Sequence, residues 1–240
     1  PIDIGIAVDT KLENHKIAYG TKNMAKEPAM TREEAEKAME VGIEKVRELS
    51  GQGYKIIATG EMGIGNTTTS SALASYFLQE DVEKMTGRGA GLTSKALEKK
   101  IAVVRKAIAD YSPVFTDAID ALAALGGFDI AGMAGVFLGG AIYRVPIVMD
   151  GFISSTAALT ATRICPACKD FIMASHVSKE PAAEKILAAM DKEAALHCDM
   201  CLGEGTGAVT LFPILDLATQ IYEQMSTFED IEIDAYVELK

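Results

Sequence analysis

Apolar positions along the chain follow two periods, one helical and one of short continuous runs. Thr31-Arg-Glu-Glu34 has the residues of a capping box, and Ala35, Ala38, Met39, Gly42, Ile43 and Val46 follow at helical spacing, which predicts a helix from 31 to about 50. Residues 54–58 form a short apolar run between Gly53 and Gly60, the pattern of a buried parallel strand. Residues 145–149 and 171–174 are two further runs of that kind. Helices are expected over 69–78, 95–110, 117–125, 130–141, 154–162 and 181–190, and from the loop at 202–207 toward Met225. Residues 1–30, broken by Gly5, Gly20 and Pro28, read as a polar lead-in with one short strand. The chain after Phe228 reads as a peripheral strand or a loose end. Strands alternating with helices predict an α/β layered fold built on a parallel sheet.

Three loops share one design, in which small residues lead from a strand or turn into a helix. They are Gly60-Glu-Met-Gly-Ile-Gly-Asn-Thr-Thr68, Thr86-Gly-Arg-Gly-Ala-Gly91 and Leu202-Gly-Glu-Gly-Thr-Gly207. In an open α/β sheet ligands bind beyond the carboxyl ends of the strands. Glycine lets backbone N–H groups approach an anion, and a helix N-terminus favours negative charge. Gly63-Ile-Gly-Asn-Thr-Thr68 is therefore a candidate phosphate cradle, with Asn66, Thr67 and Thr68 as further donors. It is neither a Walker loop, since no Lys follows the glycines in place, nor a G-x-G-x-x-G loop, since Thr68 holds the last position. Glu61 and Glu204 each sit among glycines, and burial of either carboxyl would raise its pKa and make it a usable base. Helix capping and tight packing are the alternative uses of these glycines, and a helix-dipole role the alternative for Glu204.

Composition narrows the classes. The 240 residues are 49% apolar and 24% charged, enough for one large core without staples. Twenty-three Lys and Arg against 34 Asp and Glu give a net charge of −11, with no basic run, which argues against nucleic acid or an anionic membrane as partner. The most apolar segment, 130–143, is closed by Asp129 and Arg144 and is too short for a bilayer. Pro1-Ile2-Asp3 has no export-signal character, so the cytoplasm is the expected compartment. Cys165-Pro-Ala-Cys168 and Cys198-Asp-Met-Cys201 have zinc-site spacing, while the competing reading is ordinary free, partly buried thiols.

The order of the glycine loops, together with Asp150-Gly-Phe-Ile-Ser154, Ala174-Ser-His176, Pro28-Ala-Met-Thr-Arg32 and Glu223-Gln-Met-Ser-Thr-Phe228, resembles the nicotinate-nucleotide:dimethylbenzimidazole phosphoribosyltransferase family of cobalamin lower-ligand assembly. The match runs over almost the whole chain. The resemblance implies a Rossmann-like parallel sheet with flanking helices and a small helical domain, usually in a homodimer. It divides the chain into residues 1–50, the lead-in and a helix of the small domain, residues 51–210, the phosphoribosyl-transfer domain, and residues 211–240, a helix and tail of the small domain. The family normally carries a substantial further segment before the point where this chain begins, so the small domain is incomplete here. The implied reaction passes phosphoribose from nicotinate mononucleotide to an aromatic base, without a cofactor or metal.

By motif, Glu204 corresponds to the general base, and Glu61 and Lys100 to other polar active-site groups. Gly63, Gly65, Asn66, Thr67 and Thr68 with Arg88, Gly89 and Gly91 match segments that line the nucleotide. Asp150, Gly151, Ser175, His176, Gly203 and Gly205 complete the substrate-binding set. Cys201 stands where the family more often has a basic residue. A different azole, a purine or a phenol as acceptor, an inactive nucleotide-binding module, and a zinc-stabilised interaction domain remain as alternatives.

Overall fold

Three very short strands carry the fold: β3 (Ile57–Ala58), β4 (Ile147–Met149) and β5 (Ile172–Ala174), paired parallel in that order. The computed structural model describes residues 1–234 and 237. A separate parallel pair, β1 (Ile2–Asp3) with β2 (Glu13–Asn14), lies in the lead-in, where one strand was expected.

The helices are α1 (Arg32–Gly51), α2 (Asn66–Leu78), α3 (Val82–Met85), α4 (Ser94–Tyr111), α5 (Ala118–Leu125), α6 (Phe128–Tyr143), α7 (Phe152–Ile164), α8 (Ala183–Ala189) and α9 (Thr206–Gln224). Thr31 starts α1 with the expected reciprocal box: its hydroxyl accepts from Glu34 N at 3.1 Å, and its own N–H donates to Glu34 at 2.8 Å. The strands are shorter than the apolar runs for identifiable reasons. Tyr54 N–H returns to the Leu49 carbonyl at the end of α1, and Val145 N–H to Gly140 at the end of α6. Pro146 has no N–H to pair, and Phe171 belongs to a 3-10 turn, Pro166–Phe171. The tail expected as a peripheral strand or a loose end forms turns over residues 228–232, and residues 235, 236 and 238–240 lie outside the described residues.

Alternation along the strands divides the packing into layers. Ile147, Met149, Ile172 and Ala174 join the main core with α6 and α7, whereas Val148 faces Ala208 and Leu211 of α9. Helices therefore cover both sheet faces, as the α/β expectation requires. Buried Ala35, Ala38, Met39 and Val46 place α1 in the same core as α6. Beyond its first turns α9 is mostly exposed, including Ile214, Leu217 and Ile221.

Small residues set the α1–α6 approach. A Cβ on Gly42 would lie 2.0 Å from the Gly132 carbonyl oxygen, and one on Gly135 2.0 Å from the Met39 oxygen. Both obstacles are backbone, so no side chain can yield. Gly135→Ala is expected to lower the unfolding free energy by about 2–3 kcal/mol, against a change under about 1 kcal/mol for Gly51→Ala, where the added methyl meets open space. Urea unfolding of the two variants checks this, and equal midpoints would refute backbone-limited packing.

Candidate active site

Parallel pairing gathers the carboxyl ends of β3, β4 and β5 at one edge, where the chain passes into Thr59-Gly60, Asp150-Gly151 and Ser175-His176. Ser154 on α7 joins two of these exits. Its hydroxyl lies 2.6 Å from Thr59 Oγ1 and accepts from Asp150 N at 3.1 Å. Thr59 Oγ1 donates in turn to the Val148 carbonyl at 3.0 Å.

The first glycine loop turns into α2 at Gly65, whose φ of +85° lies in the left-handed region that glycine adopts freely. No side chain caps α2; Thr68 N–H donates to the Gly65 carbonyl at 2.9 Å, and the N–H groups of Asn66 and Thr67 remain available to an anion. Asn66 Nδ2 bridges two carboxylates, donating to Glu61 and, at 2.9 Å, to Asp129. Burial above all, then the charge of Asp129, pushes the Glu61 carboxyl up to about 7, with the Asn66 hydrogen bond opposing. A Cβ on Gly63 would come within 2.4 Å of Asp129, so the loop has no room there for a larger residue.

Buried Lys100, on α4, ties the first loop to the second. Its ammonium donates to Thr67 Oγ1 and to the Gly87 carbonyl, each at 3.0 Å. Burial lowers its pKa, partly offset by the charge of Glu180. Glu180 accepts from Gly89 N at 3.1 Å and so holds the turn of the second loop. Arg88 is exposed and folds back onto its own loop, donating to the Leu92 carbonyl at 2.7 Å and to Ser94 at 3.1 Å. Gly91, also in the left-handed region, ends that loop in open space.

The third loop carries three successive left-handed residues: Gly203, Glu204 and Gly205, with φ of +79°, +59° and +83°. It packs backbone to backbone on the first loop, since a Cβ on Gly60 would lie 2.6 Å from Gly205 N and 2.8 Å from the Glu204 carbonyl carbon. Glu61 reaches the same junction, 3.4 Å from where a Cβ on Gly203 would stand. Glu204 itself is exposed, and Met62 and Leu202 beside the two carboxylates are exposed apolar groups.

The fold thus assembles Glu61, Lys100, Gly63, Gly65, Asn66, Thr67, Gly89, Gly203, Glu204 and Gly205 around adjoining loops. Thr68 stays in the first turn of α2. Asp150, Ser175 and His176 lie deeper, each more than nine-tenths buried beneath the third loop. The Asp150 carboxylate is committed to α9 amides, and the Ser175 hydroxyl lies 3.1 Å from His176 Nδ1. Gly151, at the start of α7, packs against the His176 ring. Asp129 and Glu180 were not singled out from the sequence. The first closes an apolar run and the second sits in an unmarked Ser-Lys-Glu-Pro stretch, so neither carries a local motif. The cysteine pairs do not gather into a four-thiol site: among the described residues no three His, Cys, Asp or Glu stand together as a metal would need. Burial pushes the Cys168 thiol up to about 12, away from the thiolate that zinc binds.

The chain as a whole is similar to named proteins. A family profile described as phosphoribosyltransferase matches residues 1–233. The nicotinate-nucleotide–dimethylbenzimidazole phosphoribosyltransferase of Clostridium acetobutylicum is 53% identical over 242 residues, covering 100% of this chain and 69% of that protein. The protein of that name from Acetivibrio thermocellus is 50% identical, with 98% of this chain and 68% of its own length covered. The crystal structure of CobT from Thermus thermophilus superposes with a TM-score of 0.92 at 36% identity, over 97% of this chain and 71% of that one.

A carboxyl whose folded pKa is about 7, above its ordinary 4.5, holds its proton more tightly in the native state than in the unfolded one. Its contribution to stability therefore falls as pH rises from about 4.5 to 7, by up to about 3 kcal/mol. Glu61→Gln lacks this loss. The stability of the variant relative to the parent should grow across that window and level off above it, as followed by denaturant unfolding at several pH values. A constant difference would contradict the buried, charge-repelled setting of Glu61.

Proposed function

Because the chain belongs to the nicotinate-nucleotide–dimethylbenzimidazole phosphoribosyltransferase family, we propose that it transfers the phosphoribosyl group of nicotinate mononucleotide to 5,6-dimethylbenzimidazole or a similar aromatic base. The products are α-ribazole phosphate and nicotinate. The observation that carries this reading is the junction of two carboxylate-bearing glycine loops at the carboxyl edge of a parallel sheet, beside an uncapped helix N-terminus.

The chemistry asks little of the protein beyond position, charge and one proton. An azole nitrogen forms a bond to the anomeric carbon while the bond from that carbon to the pyridinium nitrogen breaks. The bonding pair goes to the pyridine ring, which leaves neutral at nitrogen and needs little acid assistance. The N–H proton of the acceptor must go to a base, and exposed Glu204 is the group we assign to it. Met62 and Leu202 offer apolar surface to an aromatic acceptor. The first turn of α2, with Asn66, Thr67 and Thr68, suits the phosphate, and Lys100 holds Thr67 against the second loop. Glu61, close to half-protonated at neutrality, can share the proton traffic at the junction. Orientation of the two reactants supplies the rest of the rate.

A homodimer and a cytoplasmic setting go with this reading. Among the described residues no helix is long and apolar enough to cross a membrane. We also read residues 1–50 and 211–240 as parts of a small domain beside residues 51–210. The exposed apolar positions of α9 support a covering element or second copy there.

Glu204→Gln should keep the affinity for nicotinate mononucleotide within about twofold while turnover falls by about 10²–10⁴-fold. The readout is chromatographic release of nicotinate in the presence of dimethylbenzimidazole, paired with nucleotide binding by calorimetry. Turnover near that of the parent would remove Glu204 from this role. Nucleotide binding by the parent chain without any nicotinate release would make the chain a binding module.

A further inference from the structure

Asp150 stands at the end of β4 and is 4% exposed. Its carboxylate accepts from three backbone amides of the third loop and the start of α9: Gly205 N to Oδ2 at 3.0 Å, and Gly207 N and Ala208 N to Oδ1 at 2.7 and 3.2 Å. It is thus a helix cap supplied from a different strand, where the N-cap residue Gly205 has no side chain to offer. The nearest titratable neighbour is His176, whose Nδ1 lies 4.0 Å from Oδ1, too far for a hydrogen bond, and whose pKa is lowered by burial. Asp150 is anchored from behind as well, its own N–H donating to Ser154.

Directly before these amides comes the left-handed run. A non-glycine residue at φ of +59° costs about 1 kcal/mol and persists only where its surroundings dictate it. Two restraints dictate it here. From one side Gly60 presses its backbone against Gly205 and Glu204. From below, Asp150 fixes the N–H of Gly205, the residue immediately after Glu204. The peptide that follows Glu204 therefore cannot rotate without giving up that hydrogen bond.

We propose that Asp150 is a positioning residue that holds Glu204 in its left-handed conformation at the junction of the two loops, and so sets the direction from which its carboxylate can act, rather than a group that touches substrate. This inference rests on the assignment of Glu204 as the base. An Asn at 150 has one acceptor oxygen. Kept toward Gly207 and Ala208, it turns its NH2 against the Gly205 N–H, so the arm nearest Glu204 is lost while the start of α9 stays capped.

The test is a double-mutant cycle in the full chain: parent, Asp150→Asn, Glu204→Gln and the double variant, each measured for kcat, for KM of nicotinate mononucleotide and for thermal unfolding. Asp150→Asn should lower kcat by about 10–100-fold with KM within about twofold, and should lower it no further when Glu204 is already Gln. A raised KM with kcat preserved, or the same kcat loss in both backgrounds, overturns the proposal. Parent-like turnover of Glu204→Gln instead overturns the assignment of the base, whatever Asp150→Asn does. If Asp150→Asn does not fold, Ser154→Ala carries the test. It frees the Asp150 N–H while leaving both carboxylate oxygens, and should lower kcat severalfold in the parent and not in the Glu204→Gln background. An unchanged kcat there also refutes the role.

Discussion

The chemistry of this chain depends on three strands of two or three residues running in the same direction. Parallel pairing leaves no choice about where their exits lie, so Thr59, Asp150 and Ser175 leave the sheet at one edge. A ladder this short contributes few hydrogen bonds, each of modest net value. What fixes the strands is the apolar burial around them: α6 and α7 on one face and the first turns of α9 on the other. Glycines at the α1–α6 crossing let that core close at backbone contact. The site is therefore carried by helix packing and only directed by the sheet.

Glu61 and Glu204 show how environment separates groups that look alike in sequence. Each is flanked by glycine, yet one is drawn into a bridge with Asn66 and Asp129 and the other stands exposed on a left-handed turn. Burial and a like charge raise the first, while backbone geometry sets the direction of the second. Two carboxyl groups in different surroundings can divide the work of holding and taking a proton.

Long periodic helices were readable because many residues vote for each, and the capping box at Thr31 marked a start to the residue. Strand positions were readable but their lengths were not, since Tyr54 and Val145 give their amides to helix ends. α3 has four residues, too few for any period. The glycine loops marked the candidate site, because close backbone approach leaves a mark in sequence. Asp129 and Glu180 left none: they meet Asn66 and Gly89 across 63 and 91 positions. Depth was equally hidden. Asp150, Ser175 and His176 belong to marked motifs, and only the folded chain shows that they lie under the loop. The cysteine pairs are the reverse case, a spacing that suggested metal without the geometry to hold it.

The filled end of α9 has a consequence for direction. Asp150 accepts directly from the amides at that helix start, whereas at the start of α2 the carboxylates of Glu61 and Asp129 accept from the Asn66 side chain and no side chain caps the backbone amides. The two helix starts therefore differ in the backbone amides they leave open, which are occupied by Asp150 at α9 and uncapped at α2. On the proposed function, this difference favours a nucleotide with its phosphate toward α2 and its glycosidic bond toward the carboxylates. On that reading the buried aspartate is also a polarity marker, disfavouring the reversed pose without a residue dedicated to rejecting it.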